Sequence, residues 1–257
     1  MNLKIIKELG YTKDREGLIS RYINEKENWD AHLQNCKKII LQSAQNKKKE
    51  TAVVLGSGWW LDTPVEALSK QFKTLFLVDI SHPRQRLKKA EQFDNVKMVS
   101  GDITGIIEPL YDVIKHNKRQ TTADEILSLV NQAKPFQYLN LPDADFRVSI
   151  NLLSQLGIFI EKYIRKKTKL SNDEIKTIIK SLQEVHINYL PKGKSCLITD
   201  YKENLYQPKT NTKTSEDLIL TPLNNYTVIK KWTWDFDLSG NYSKNQQAVL
   251  KVIALEL

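Results

Sequence analysis

Two glycines and two carboxylates carry the strongest chemical signal in this chain. Gly56-Ser57-Gly58 directly follows an apolar run near 51–56, and Asp79 closes a second run, 74–79, roughly twenty residues beyond the first glycine. A glycine turn lets backbone approach a ligand with no Cβ in the way, and its N–H groups can face the ligand. A carboxylate at the neighbouring strand tip can accept two hydrogen bonds from a vicinal diol. Together they ask for a nucleotide-like ligand. Asp102, just after a third apolar run, can accept from an exocyclic amine. Both acids have a plainer alternative: Asp79 as a helix N-cap, Asp102 as a cap or turn holder.

Parallel strands must deliver these groups to one edge. The runs 51–56, 74–79 and 96–99 alternate with short helical patterns, one of them starting at Pro64 and another covering 83–92, which indicates βαβ units. Residues 105–145 break the rhythm. Helices over 106–116 and 123–133, then Pro135 and Pro142, read as an insertion on the ligand side. A fourth strand is expected over 146–153, running into a helical segment over 154–167. Ser171 and Glu174 form a capping box for a helix with Ile175, Ile178, Ile179, Leu182, Val185 and Tyr189 on one side. A fifth strand, 195–199, ends at Asp200-Tyr201. A polar loop is expected over 202–222. Two long strand-like runs, 226–236 and 247–257, then form a terminal antiparallel hairpin around Gly240-Asn241. Upstream, residues 15–46 predict one amphipathic helix with Ile19, Tyr22, Ile23, Trp29, Leu33, Cys36 and Ile40 on its stripe. It would pack on the domain or serve as a lid.

Bulk properties narrow the classes. The 257 residues suit one large α/β domain, with 1–48 as a helical extension and 49–257 as the main domain. No apolar run matches a membrane span, and the N-terminus does not read as a signal peptide, so a cytoplasmic location is expected. Cys36 and Cys196 lack metal-ligand spacing; reduced interior thiols and no metal are expected. The net charge of +9 leaves a nucleic-acid partner open. Runs such as Lys47-Lys48-Lys49 and 162–169 have no interleaved aromatics, so no stacking platform supports that partner.

From residue 51 onward the chain resembles the class I S-adenosylmethionine-dependent methyltransferases. Val53-Val54-Leu55-Gly56-Ser57-Gly58 is similar to their first motif, Leu77-Val78-Asp79 to the second and Val99-Ser100-Gly101-Asp102-Ile103 to the third. Val148-Ser149-Ile150-Asn151-Leu152-Leu153 resembles strand four with its tip. The stretch from Tyr189 through Pro191 and Gly193 to Asp200 resembles the approach to strand five. The resemblance implies a Rossmann-like seven-stranded, mostly parallel sheet whose C-terminal hairpin supplies the antiparallel strand. It implies S-adenosylmethionine as cofactor, held by Gly56, Ser57, Gly58, Asp79, Ile80, Asp102, Ile103 and Asn151. Asn151, Ser154 and Gln155 would sit near the transferred methyl group, and Tyr201 could line the acceptor site. Asn151, Gln155 and Tyr201 are the catalytic candidates. No residue reads as a clear catalytic base.

The chain also departs from that pattern. The family's third glycine falls at Trp60, and the acid two residues before the first glycine is Val54. The strand-four tip is Asn151-Leu152-Leu153, not the Asn/Asp-Pro-Pro-aromatic tetrad of enzymes that methylate nucleobase amines. These departures favour an alternative: a non-catalytic methyltransferase-like binding or scaffold protein, with a filled cleft. A nicotinamide-linked oxidoreductase would want a further glycine near Leu61 or Asp62, where there is none. His82, just beyond Asp79, reads as either an adenine-edge residue or an exposed turn histidine. His186 reads as structural.

Overall fold

The computed structural model describes residues 2–134, 139–243 and 245–257, so Pro135 lies outside the described residues. Three helices lead: α1 (Leu3–Leu9), α2 (Tyr11–Asn24) and α3 (Lys26–Ala44). The α/β alternation follows with β1 (Thr51–Leu55), α4 (Val65–Gln71), β2 (Thr74–Asp79), α5 (Arg84–Ala90) and β3 (Val96–Ser100). Then come α6 (Ile107–Asn117), a short 3-10 turn, α7 (Ala123–Gln132), β4 (Phe146–Ile150), α8 (Ile158–Lys167) and α9 (Asn172–Asn188). The chain finishes with β5 (Ser195–Gln207), β6 (Thr212–Asp217), β7 (Thr227–Asp237) and β8 (Gln247–Glu256).

The sheet runs β3-β2-β1-β4-β5-β8-β7. β1 pairs in parallel with β2 and β4, β2 with β3, and β4 with β5; β8 runs antiparallel to both neighbours. Both faces are covered, as a parallel sheet requires. Alternate side chains of β1 divide between two cores: Ala52 and Val54 face one with Trp29, Leu68, Leu77 and Phe146, while Val53 and Leu55 face the other with Val78, Ile187 and Leu255. A third cluster joins α1, α6, α7, α8 and α9 through Ile6, Leu110, Ile126, Ile160 and Leu182. This is a Rossmann-like α/β fold. Among the described residues no helix is long and apolar enough to cross a membrane.

Among the described residues the sheet has eight strands rather than seven. The extra one, β6, occupies the segment read as a polar loop. β5 extends well past β4, and its distal half pairs with β6 from Lys202–Asp217 to Gln207–Thr212. No β6 side chain is buried, so no apolar alternation marks it, and only Pro208 and the Asn211 turn (φ 52) punctuate the hairpin. The capping box is present, with the Glu174 amide donating to Ser171 Oγ.

The single long helix expected over 15–46 is interrupted. Helix α3 starts after Glu25, a buried residue whose carboxylate accepts from Asn28 Nδ2 at 2.7 Å and from the Ser239 amide at 2.9 Å. That tertiary anchor outweighs helical continuity. Ile23, placed on the stripe, is 67% exposed. Strand four ends at Ile150, before the expected Leu153, because Asn151 takes a left-handed conformation (φ 45).

Candidate functional site

The C-terminal tips of β3, β2, β1 and β4 and the middle of β5 open onto a cavity of about 420 Å³, within the ordinary size of a small-molecule site. The strand order sets the polar groups side by side: Asp102 beyond β3, Asp79 on β2, the glycine turn after β1, Asn151 after β4 and Asp200 on β5. Gly56, Ser57, Gly58, Ile80, Ile103 and Gln155 also line the cavity.

The glycine turn is folded against β2. The amides of Gly56 and Ser57 donate to the Val78 carbonyl at 2.9 and 3.2 Å, and the Gly58 amide donates to Asp79 Oδ2 at 2.9 Å. The expected N–H donors are therefore already occupied. Gly56 (φ 86) must be glycine on a second count: a Cβ there would lie 2.6 Å from the Ile150 carbonyl oxygen.

Asp79 also accepts from the Ser81 amide at 3.4 Å. Burial pushes its carboxyl up, against the opposing pull of His82 and of the amides it binds. Asp102 is more heavily committed. It accepts from the Thr104 amide and hydroxyl at 2.8 and 2.6 Å, and from the Ile107 amide at 2.8 Å at the start of α6. The turn-holding alternative describes these bonds. Burial raises its carboxyl as well.

Asn151 sits between two groups that the sequence did not single out. Its Nδ2 donates to Asp62 Oδ2 at 2.8 Å and lies 3.2 Å from His32 Nε2, while its Oδ1 has no partner among the described residues. His32, buried on α3, stacks on Trp234 at 3.7 Å and receives the Trp232 indole N–H at 3.2 Å. Burial holds its pKa down at about 3. Asp62 has its carboxyl raised by burial.

On β5 the register shifts between Asp200 and Lys202, leaving Tyr201 as an unpaired bulge residue. Regular alternation would set Asp200 and Glu203 on opposite faces; the bulge brings both to the cavity. Ser154 Oγ donates to Asp200 Oδ1 at 2.6 Å. Tyr201 itself is not among the cavity-lining residues, and Lys231 sits over its ring. The other wall comes from α2, α3 and β7, with Arg21, Trp29, Trp234, Phe236 and Tyr242.

Trp60 stays out of the cavity. Its backbone keeps a left-handed conformation (φ 61), as a glycine would, and its indole is buried in the core with Arg86 over the ring. His82 is neither exposed nor at the cavity: it is 6% exposed, with Nε2 at 3.1 Å from the Val99 carbonyl oxygen. His186 is buried against Ser149 Oγ at 2.8 Å. Both cysteines are free and buried. Asp62, His32 and Glu203 lacked any sequence signal, because helix packing and a bulge bring them in. Asp200 carried one, as the polar residue ending an apolar strand.

No family model matches the chain, and no curated protein matches it. Among solved structures it is similar to the 1,6-didemethyltoxoflavin-N1-methyltransferase of Burkholderia thailandensis, at 12% identity and TM-score 0.40 over 95% of this chain and 87% of that one. It is similar to coclaurine N-methyltransferase at 10% identity and TM-score 0.42, over 89% and 71%. A SAM-dependent methyltransferase of Leishmania major aligns at 13% identity and TM-score 0.37, over 88% and 72%.

Proposed function

We propose that this protein transfers a methyl group from S-adenosylmethionine to a small acceptor. The observation that carries this reading is the state of the glycine turn. With the amides of Gly56, Ser57 and Gly58 all donating to β2, these three donors are not free for a phosphate. A nucleoside ligand without a pyrophosphate suits it better than a dinucleotide. The cavity also favours a cation. Among the described residues eight carboxylates line it, including Asp62, Asp79, Asp102, Asp200 and Glu203, against the four cationic side chains of Arg21, Lys162, Arg165 and Lys176.

The residues present fit this cofactor. Asp79 spends two of its roughly four acceptor sites on Gly58 and Ser81 and keeps the rest for ribose hydroxyls. Ile80 and Ile103 supply apolar flanks for the adenine, and Asp102, held by the turn through Thr104, Gly105 and Ile107, fixes the loop beside it. On the opposite side of the turn, Asp62 and the unpartnered Asn151 Oδ1 suit the amino-acid end. When bound, the cofactor supplies a methyl group already activated by the sulfonium. The chain's main task is then to hold an acceptor in line, in the part of the cavity beyond β4. Gln155 and Asn151 line the cavity there; Tyr201 would act only indirectly.

The scaffold alternative expects a filled cleft. The open cavity and the placement of Trp60 outside it support ligand uptake instead. Calorimetry with S-adenosylhomocysteine tests the reading. Micromolar binding by the native protein and its loss in Asp79→Ala are expected; no heat with the native protein would sink it.

A further inference from the structure

The β5 end of the cavity is built for a positively charged group. We propose that the methyl acceptor is a small amine on an aromatic or apolar body, its nitrogen held by Asp200 and Glu203 and its body lying along the cavity-facing edges of Trp234 and Phe236. This rests on the cofactor reading above only in assigning the bound amine as the acceptor.

Three independent observations converge. First, the bulge at Tyr201 turns two carboxylates to the same side, where unbroken alternation would show one. Neither makes an ion pair within 4.0 Å among the described residues; Asp200 accepts from the Ser154 hydroxyl and Glu203 from that of Tyr242. Asp200 is 6% exposed, so a carboxylate there without a cation is costly, and burial raises both carboxyls accordingly. An incoming ammonium removes that penalty. Before transfer it passes one proton to the Asp200 or Glu203 carboxylate. The freed nitrogen lone pair then takes the methyl group as the carbon–sulfur bond breaks and S-adenosylhomocysteine leaves.

Second, the facing wall is aromatic and already holds one cation. The Arg21 guanidinium lies 4.7 Å from the Phe236 ring centre and 4.9 Å from that of Tyr242. Rings placed this way stabilise a positive charge across their faces. Trp29 meets Trp234 edge-on at 4.7 Å and stacks on Phe236 at 5.5 Å, so the wall is rigid.

Third, Trp234 lines the cavity while 5% exposed, and its indole N–H has no acceptor among the described residues. A buried donor of this kind calls for an acceptor atom on the ligand. The amine's body is therefore expected to carry an oxygen or ring nitrogen.

Calorimetric titration with matched pairs tests this: tyramine against 3-(4-hydroxyphenyl)propionate, and tryptamine against indole-3-propionate. Each is run with and without saturating S-adenosylhomocysteine, on the native protein and on Asp200→Asn and Glu203→Gln. Expected is binding of the amines at least about tenfold tighter than of the acids. Asp200→Asn and Glu203→Gln should abolish that preference and leave S-adenosylhomocysteine affinity within about twofold. Native-like melting of each variant excludes misfolding as the cause. If S-adenosylhomocysteine binds but the acids bind as well as the amines, or neither binds, the amine site is overturned and the cofactor reading stands. If the amine preference persists without any S-adenosylhomocysteine binding, the cofactor reading falls and the amine site stands.

Discussion

The Gly58 amide and the Asp79 carboxylate are joined across 2.9 Å, so the turn after β1 and the tip of β2 form one hydrogen-bonded unit. Asp79 therefore has two tasks, shaping the turn and facing the cavity. Asp79→Asn replaces one acceptor oxygen with a donor. S-adenosylhomocysteine affinity should fall by about tenfold, a loss near 1.4 kcal/mol, with a smaller loss of stability. Calorimetry beside a urea titration separates the two effects.

The two glycines of the turn should respond unequally to alanine. At Gly58 (φ 40) a Cβ would sit 3.7 Å from Asp79 Oδ2, so the cost is backbone strain alone, about 1 kcal/mol. At Gly56 the Cβ would also meet the Ile150 carbonyl oxygen, and β1 and β4 would have to part. Gly56→Ala should destabilise by at least twice as much in chemical denaturation. Equal effects would show that the turn relaxes freely.

Through two buried histidines and Glu25, acid should weaken the fold in two stages. The carboxyls of Asp62, Asp79, Asp102, Asp200 and Glu203, raised by burial, offset this in part, because they take up protons more readily in the folded chain. The pKa of His32 is depressed to about 3 and that of His186 to about 4, both by burial, from an ordinary 6.5. Below pH 6.5 the unfolded chain takes up protons that the folded chain refuses. Stability should then fall by up to about 1.4 kcal/mol per pH unit for each group. For Glu25, burial pushes upward, but hydrogen bonds from Asn28 and Ser239 bring it down to about 2. Its contribution is fully present above its ordinary 4.5 and fades as pH drops toward 2. Melting temperatures across pH 3–7, with Glu25→Gln losing the lower stage, provide the check.

Trp29 fastens the leading helices to the sheet. Its indole N–H donates to the Phe236 carbonyl at 2.9 Å, in a fully packed setting. Trp29→Phe should cost about 1–3 kcal/mol, since it leaves that buried carbonyl unsatisfied. Trp29→Ala should cost about 3–5 kcal/mol. A native-like melting curve for Trp29→Ala would mean that α3 is dispensable to the core.

Local chemistry made much of this molecule readable in advance. Strand β2 ends at Asp79 as the apolar run implies, and the Ser171–Glu174 box opens α9. What escaped depends on distant partners. Glu25 interrupts a helical pattern through a bond to Ser239, more than two hundred residues away. His32 and Asp62 meet only at Asn151, brought there from α3 and from the loop after β1. The N–H groups of the glycine turn were legible as donors; that β2 would claim them was not. The bulge at Tyr201 decides which β5 side chains face inward, and no residue type marks it.

The overhang of β5 has one more effect. Carrying Glu203 to the cavity requires the strand to run beyond β4, and the added ribbon leaves β6 at a border of the sheet. Such borders invite neighbouring molecules to zip on. Here the outermost strand reads Thr-Lys-Thr-Ser-Glu-Asp, fully hydrated and with both signs of charge. The wall is lengthened by a ribbon whose rim repels stacking, so the extra reach adds no seam for aggregation.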